Sequence, residues 1–165
     1  MEKHVIICID DEPEVLDSVT RTLAQFEDFF PIETAESAKD ARDLVESIIK
    51  VGNHLALVVC DHLMPGETGV ALLSDLARDS RLPLTRKILL TGQASHEDTI
   101  DAINQGGIDY YVTKPWDADT LVEIVSKQLA HFFVNLGHLP PSGITGLDPF
   151  IISEAIREGY LLVDG

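Results

Sequence analysis

Five side chains in this sequence carry groups that suit phosphoryl chemistry, and each lies directly after a short apolar run. Three are acids, one is a hydroxyl and one is an amine: Asp10 and Asp11 follow residues 4–9, Asp61 follows 55–60, Thr91 follows 87–90 and Lys114 follows 110–113. Carboxylate oxygens are ligands that Mg²⁺ prefers, and Mn²⁺ accepts the same set. We expect Asp10, Asp11 and Asp61 to bind Mg²⁺, or Mn²⁺ in its place, together with a loop carbonyl and water.

Asp61 is the predicted nucleophile, because it is the only acid at the end of its apolar run. A carboxylate can attack phosphorus and form an acyl phosphate. Phosphoryl transfer otherwise needs positioning and neutralisation of charge. Lys114 would supply a positive charge and Thr91 a hydroxyl donor, while Gly92 would leave room for a phosphoryl oxygen.

The apolar runs are typical of buried strands, since they are short, rich in β-branched residues and bounded by Pro or Gly. Ligands bind at the carboxyl ends of the strands in an open parallel sheet, so these ends should bring the reactive groups together. Apolar residues at helical spacing lie between the strands. The predicted helices cover 12–26, 37–51, 69–78, 97–105 and 117–134, and a further strand covers 30–34.

This alternation predicts an α/β fold, a (βα)5 three-layer sandwich with a five-stranded parallel sheet. The pattern resembles flavodoxin-like domains, and that resemblance implies the strand order 2-1-3-4-5. We expect residues 1–134 to form the domain and the Pro/Gly-rich residues 135–147 to form a linker. Residues 148–165 are too few for a core of their own. They either dock on the domain or begin an output region of a longer protein.

The composition argues against two classes of partner. The chain has 28 acidic against 12 basic residues, a formal net charge of −16, which disfavours direct binding to nucleic acid or anionic membranes. It has no apolar stretch near 18 residues and no signal-peptide pattern, so we expect a cytoplasmic protein.

The motifs together resemble the receiver domain of response regulators, the signalling domain of two-component phosphorelays. The matching elements are Asp10-Asp11, Asp61-x-x-Met64-Pro65-x-x-x-Gly69, Thr91-Gly92 and Lys114-Pro115. Each is a weak signal alone, but here they occur in order, each at the end of a predicted strand. The resemblance extends over residues 4 to 134.

The resemblance implies that a histidine kinase or a phosphotransfer protein phosphorylates Asp61 in a Mg²⁺-dependent reaction. The backbone carbonyl of Leu63 would be a further metal ligand, and Pro65, Gly69 and Pro115 would set the loop geometry. Such a domain catalyses at most its own phosphorylation and dephosphorylation.

The resemblance also implies a conformational switch. Phosphorylated Asp61 would pull Thr91 inward and vacate space for Tyr111, the aromatic residue three positions before the lysine. The face formed by the predicted helix 97–105, the fifth strand and the helix 117–134 would then change its binding to a partner, an attached output domain or a second copy of the chain.

Two other functions share part of this pattern. A receiver-like scaffold that takes no phosphate is disfavoured by the intact set of acids, hydroxyl and lysine. A Mg²⁺-dependent phosphatase with an aspartyl nucleophile is disfavoured by Leu63, because such enzymes carry a second acid two residues after the nucleophile.

Overall fold

The computed structural model of the protein describes residues 2–92, 107–140 and 146–159. Its strands form one five-stranded parallel sheet in the order β2-β1-β3-β4-β5, which confirms the predicted fold class and strand order. The strands are β1 (His4–Ile9), β2 (Ile32–Ala35), β3 (His54–Asp61), β4 (Arg86–Thr91) and β5 (Tyr110–Thr113). Within the described residues, no helix is both long enough and apolar enough to span a membrane.

The central strands are buried on both faces, as their continuous apolar sequences predict. In β3, residues 55–61 are all buried, and in β1 so are residues 5–9. The parallel register pairs Ile9 with Cys60, Asp61 with Leu90, and Thr91 with Thr113. The carboxyl ends of four strands therefore lie side by side along one edge of the sheet.

Helices cover the two faces of this sheet. They are α1 (Pro13–Thr22), α2 (Ala38–Lys50), α3 (Gly69–Arg78) and α4 (Ala118–Leu136). A further helix, α5 (Pro149–Glu158), contacts α4. The first predicted helix is shorter than expected, because α1 ends at Thr22 and a 3₁₀ turn, Ala24–Phe26, follows it. The predicted helix 97–105 lies outside the described residues.

Side-chain caps fix where most of these helices begin. Ser37, Thr68, Asp117 and Asp148 each accept a hydrogen bond from a backbone N–H in the first turn of the helix that follows. Such a cap satisfies a donor that the helix itself cannot pair. Glu12 precedes α1 without such a bond, and Pro13 starts that helix with a residue that has no N–H to satisfy.

The described residues 146–159 lie against the preceding part of the chain. Helix α4 continues to Leu136, two residues beyond the predicted boundary. Leu147 packs on the core between the sheet, α1 and α4, and Ala155 of α5 is 4% exposed. A Cβ on Gly146 would lie 2.6 Å from the Nε2 of Gln25, which shows how closely the returning chain approaches the 3₁₀ turn.

Candidate functional site

Three carboxylates meet at the end of the sheet. One carboxylate oxygen from each of Asp10, Asp11 and Asp61 lies within 4.8 Å of the other two. Asp10 and Asp61 are buried, whereas Asp11 is half-buried. The Oδ1 of Asp10 accepts a hydrogen bond of 2.9 Å from the backbone N–H of Glu12, so this side chain is held from the start of α1. The adjacent acids both reach the cluster because they lie just past the end of β1.

Lys114 contacts this cluster through its ammonium group. Its Nζ lies 2.6 Å from the Oδ1 of Asp61 and 3.4 Å from the Oδ2 of Asp10. Its backbone N–H donates a 2.8 Å hydrogen bond to the carbonyl of Thr91, and the following Lys114–Pro115 peptide bond is cis. The hydrogen bond to Thr91 thus ties the end of β5 to β4, and the lysine side chain lies against the carboxylate of Asp61.

Burial and mutual charge shift the pKa values of this site. Burial raises the pKa of Asp10, and the neighbouring charge of Asp61 raises it further. The hydrogen bond from Glu12 acts in the opposite direction but does not cancel the shift. Burial acts to lower the pKa of Lys114, but the hydrogen bond and the charge of Asp61 outweigh it, so the pKa is raised. Lys114 therefore stays protonated and remains the positive charge of the site near neutral pH.

The hydroxyl and the glycine lie at the end of the neighbouring strand. Thr91, the last residue of β4, is 2% exposed. Among the described residues, a Cβ placed on Gly92 would meet no atom within 4 Å. The expectation that this glycine leaves room for a phosphoryl oxygen stays a prediction.

The loop between Asp61 and α3 is closed by its backbone. The N–H of Gly69 donates a 2.8 Å hydrogen bond to the carbonyl of His62. A Cβ on Gly69 would lie 2.2 Å from the backbone oxygen of Asp61, so no larger residue fits at the start of α3. Within the loop, Met64 is buried in the core, Pro65 is exposed, and the Leu63 side chain is 69% exposed.

Tyr111 lies on the edge strand β5 and is 40% exposed. Its ring stacks on that of Tyr110, with 6.5 Å between the centroids. The proposed partner in the switch, Thr91, is fully enclosed on the adjacent strand. The structure therefore has the aromatic side chain outside the domain and the hydroxyl inside it.

One residue near the site carries no sequence motif. Arg42 of α2 donates through its Nη2 to Glu67, in the loop after Asp61, and at 2.8 Å to Asp75 of α3. An arginine among charged residues on a helix face looks in sequence like part of a solvated surface. No motif marked this contact, since it joins residues that lie far apart in the chain.

The known proteins that this chain resembles are response regulators or receiver domains. The family model of the response regulator receiver domain matches residues 6–126. The hydrogenase transcriptional regulatory protein HoxA of Cupriavidus necator is 33% identical over 126 residues, which are 76% of this chain and 24% of HoxA. Chemotaxis protein CheY-3 of Vibrio cholerae is 28% identical over 127 residues, 77% of this chain and 93% of CheY-3.

A solved receiver-domain structure has a similar fold. The signal receiver domain of an HD domain-containing protein from Pseudomonas fluorescens Pf-5 superposes with a TM-score of 0.68 and 26% identity, over 79% of this chain and 98% of that one. The present chain spans about a quarter of the length of HoxA but most of CheY-3. Motifs, topology and relatives agree, and the chain belongs to the response regulator receiver domain family.

Proposed function

We propose that Asp61 accepts a phosphoryl group from a histidine kinase or a phosphotransfer protein in a Mg²⁺-dependent reaction. The contact that supports this most is the 2.6 Å ion pair between Asp61 and Lys114 at the buried end of β3. It places a cation beside the carboxylate oxygen that would attack phosphorus, where phosphoryl charge would develop.

The donor set fits a hard divalent cation. Three carboxylates with oxygens within 4.8 Å of one another suit Mg²⁺, which combines a few carboxylates with retained water. Asp10, Asp11, Asp61 and the backbone carbonyl of Leu63 would hold the ion. When bound, it would neutralise carboxylate charge and polarise the phosphoryl oxygens. Mn²⁺ would suit the same donors.

The protein's own groups account for the remaining steps. An oxygen of Asp61 attacks the phosphorus of a phosphohistidine, the P–N bond breaks, and the donor imidazole leaves with a proton from solvent. The ammonium of Lys114 then pairs with a phosphoryl oxygen in place of the free carboxylate oxygen. The Thr91 hydroxyl donates to a second oxygen, and the space beside Gly92 receives it.

The output of this reaction would be a change of surface. Thr91 moving toward the phosphoryl group would free space that the Tyr111 ring, now 40% exposed, could occupy. The edge strand β5 and the neighbouring helices would then favour a different partner, an output domain or a second copy of this chain. We place the protein in the cytoplasm, where histidine kinases deliver their phosphoryl groups.

The direct test is phosphorylation by a small donor. The protein is incubated with acetyl phosphate and Mg²⁺ and separated on a Phos-tag gel, with EDTA and Asp61→Asn as controls. A retarded band that requires both Mg²⁺ and Asp61 is the expected result, and size-exclusion chromatography of the same sample tests for a dimer. If Mg²⁺ binds but no modified band forms, the chain is a phosphate-independent scaffold instead.

A further inference from the structure

The loop that follows Asp61 is held from two sides by different kinds of contact. On the inside, Met64 is buried in the core, and the hydrogen bond from Gly69 to His62 closes the loop. On the outside, the Glu67 side chain is bound by Arg42, which lies on α2, a separate element. Residues 65 and 66 lie between these anchors and are exposed.

Arg42 joins three elements at once. Its Nη2 contacts Glu67 in the loop and lies 2.8 Å from the Oδ2 of Asp75 on α3. Arg78 contacts the other oxygen of Asp75 at 2.9 Å, so Asp75 is held from both sides. Arg42 is 40% exposed and Glu67 is 32% exposed, so solvent screens this network only in part. A network of several charged groups stabilises the local structure more measurably than an isolated surface ion pair does.

We infer that Arg42 is a positioning residue for the metal site, acting through Glu67 on the loop that carries the Leu63 carbonyl. This inference rests on the proposed function, in which that carbonyl binds Mg²⁺. A Mg²⁺ site requires near-ideal octahedral geometry, so a loosened backbone ligand weakens binding even when the carboxylates are intact. Arg42 does not touch the predicted ligands and acts only through the loop.

Simple electrostatics predicts the opposite effect. Arg42 is a positive charge near a cation site, and removing a positive charge should strengthen Mg²⁺ binding. A loss of affinity on replacing Arg42 therefore cannot come from its charge alone. The sign of the change separates a positioning role from a purely Coulombic one.

The chain provides a matched control in Arg81. It also bridges α2 to the end of α3, with contacts of 2.7 Å to Glu46 and 2.8 Å to Asp79, and it is 47% exposed. Unlike Arg42, its described contacts are away from the loop after Asp61. Arg81→Gln therefore removes the same charge and a similar inter-element ion pair while leaving that loop alone.

The experiment compares Arg42→Gln, Glu67→Gln, their double variant and Arg81→Gln. MgCl₂ is titrated against the fluorescence of Trp116, the single tryptophan, two residues after Lys114. We expect Mg²⁺ affinity about three- to fivefold weaker in Arg42→Gln, as for the loss of one partly exposed ion pair, with little further loss in the double variant. Arg81→Gln should bind like the wild type or slightly more tightly.

A second measurement needs no metal. Hydrogen exchange of the backbone amides in residues 62–68 is followed in EDTA, where Arg42→Gln should exchange faster than both the wild type and Arg81→Gln. If Arg42→Gln binds Mg²⁺ at least as tightly as the wild type and its loop exchange is unchanged, the inference is overturned. If the wild type itself binds no Mg²⁺, the proposed metal site is refuted. That result differs from one in which the wild type binds Mg²⁺ and the Arg42→Gln variant binds it equally well, which refutes only the role of Arg42.

Discussion

The carboxylate of Asp61, the proposed phosphoacceptor, lies near a boundary between the core and solvent. Asp61 is 6% exposed, yet Leu63, two residues later, presents an apolar side chain that is 69% exposed. Asp61 is thus enclosed, whereas the side chain two residues later in the loop faces solvent.

We expect Leu63→Asn to shorten the lifetime of phosphorylated Asp61 by several-fold. An apolar side chain screens the acyl phosphate, whereas an amide can hydrogen-bond and orient an attacking water. The measurement is the decay of the phosphorylated band after removal of acetyl phosphate. Leu63→Met, which keeps an apolar side chain of similar volume, is the control, and equal decay in all three proteins would refute the idea.

Gly69 is required by a close backbone approach. An added Cβ would lie 2.2 Å from the backbone oxygen of Asp61 and 2.9 Å from its carbonyl carbon, and neither atom can move without shifting the acceptor. We expect Gly69→Ala to lower the free energy of unfolding by about 1–3 kcal/mol, as overpacking does. Urea denaturation of the metal-free protein measures this change.

The control for that substitution is Gly92→Ala. A Cβ there would meet no atom of the described residues within 4 Å, so the free energy of unfolding should stay within about 0.5 kcal/mol of the wild type. Comparable losses for the two variants would show that close contact at Gly69 is not what selects glycine.

At the scale of elements, the C-terminal helix α5 packs against α4. Ala155 is its buried residue, while Phe150 on the same helix is 71% exposed. A small side chain at the contact lets α5 approach α4 closely. We therefore propose that residues 146–159 are a docked extension of the domain rather than part of a free linker.

Ala155→Asp should release α5 without unfolding the sheet. A carboxylate has no place in that contact and would be costly to bury, so the helix should detach. Amide hydrogen exchange in 149–158 should become at least about tenfold faster, since detachment opens hydrogen bonds that tertiary packing protects. Ser153→Asp, at an exposed position of the same helix, is the control. Equal exchange in both variants would count against docking through Ala155.

At the scale of the whole molecule, two histidines face each other at the amino end of the sheet. His4 and His54 are register partners on β1 and β3, with 5.3 Å between their ring centroids. Phe132 and Phe133 of α4 pack against His4 at 5.3 and 5.4 Å. Burial lowers the pKa of His4, and the charge of His54 lowers it further. The charge of Glu2 raises it, but by less.

Acid should therefore destabilise the fold through His4. Its pKa is lower in the folded protein than in the unfolded chain, so the unfolded chain binds the proton first as the pH falls. Stability should decline from about pH 6.5 downward, by at most about 1.4 kcal/mol per pH unit for one proton. His4→Phe should flatten the dependence of Tm on pH between 7 and 5. The control is His138→Gln at an exposed histidine, and an unchanged slope in His4→Phe would contradict this assignment.

The sequence alone determined the architecture. Short runs that are rich in β-branched residues and bounded by Pro or Gly favour buried strands. The carboxyl ends of parallel strands meet at one edge of a sheet, so residues at those ends are expected to converge, as Asp10, Asp11 and Asp61 do. Local signals also fixed individual boundaries: α3 spans Gly69–Arg78 and β5 spans Tyr110–Thr113, as predicted. Capping residues such as Ser37 encode a helix start within a few residues, and periodicity encodes which face is buried.

Tertiary structure decided which of those groups touch. The pairing of Lys114 with Asp61, the hold of Arg42 on Glu67 and the docking of Ala155 each join parts of the chain that no local pattern relates. Periodicity repeats within one helix or strand, so it carries no information on distances between elements. Those distances arise only when the elements pack together. Here that packing brings the ammonium of Lys114 to the carboxylate of Asp61 and brings Arg42 to Glu67 in the loop after Asp61.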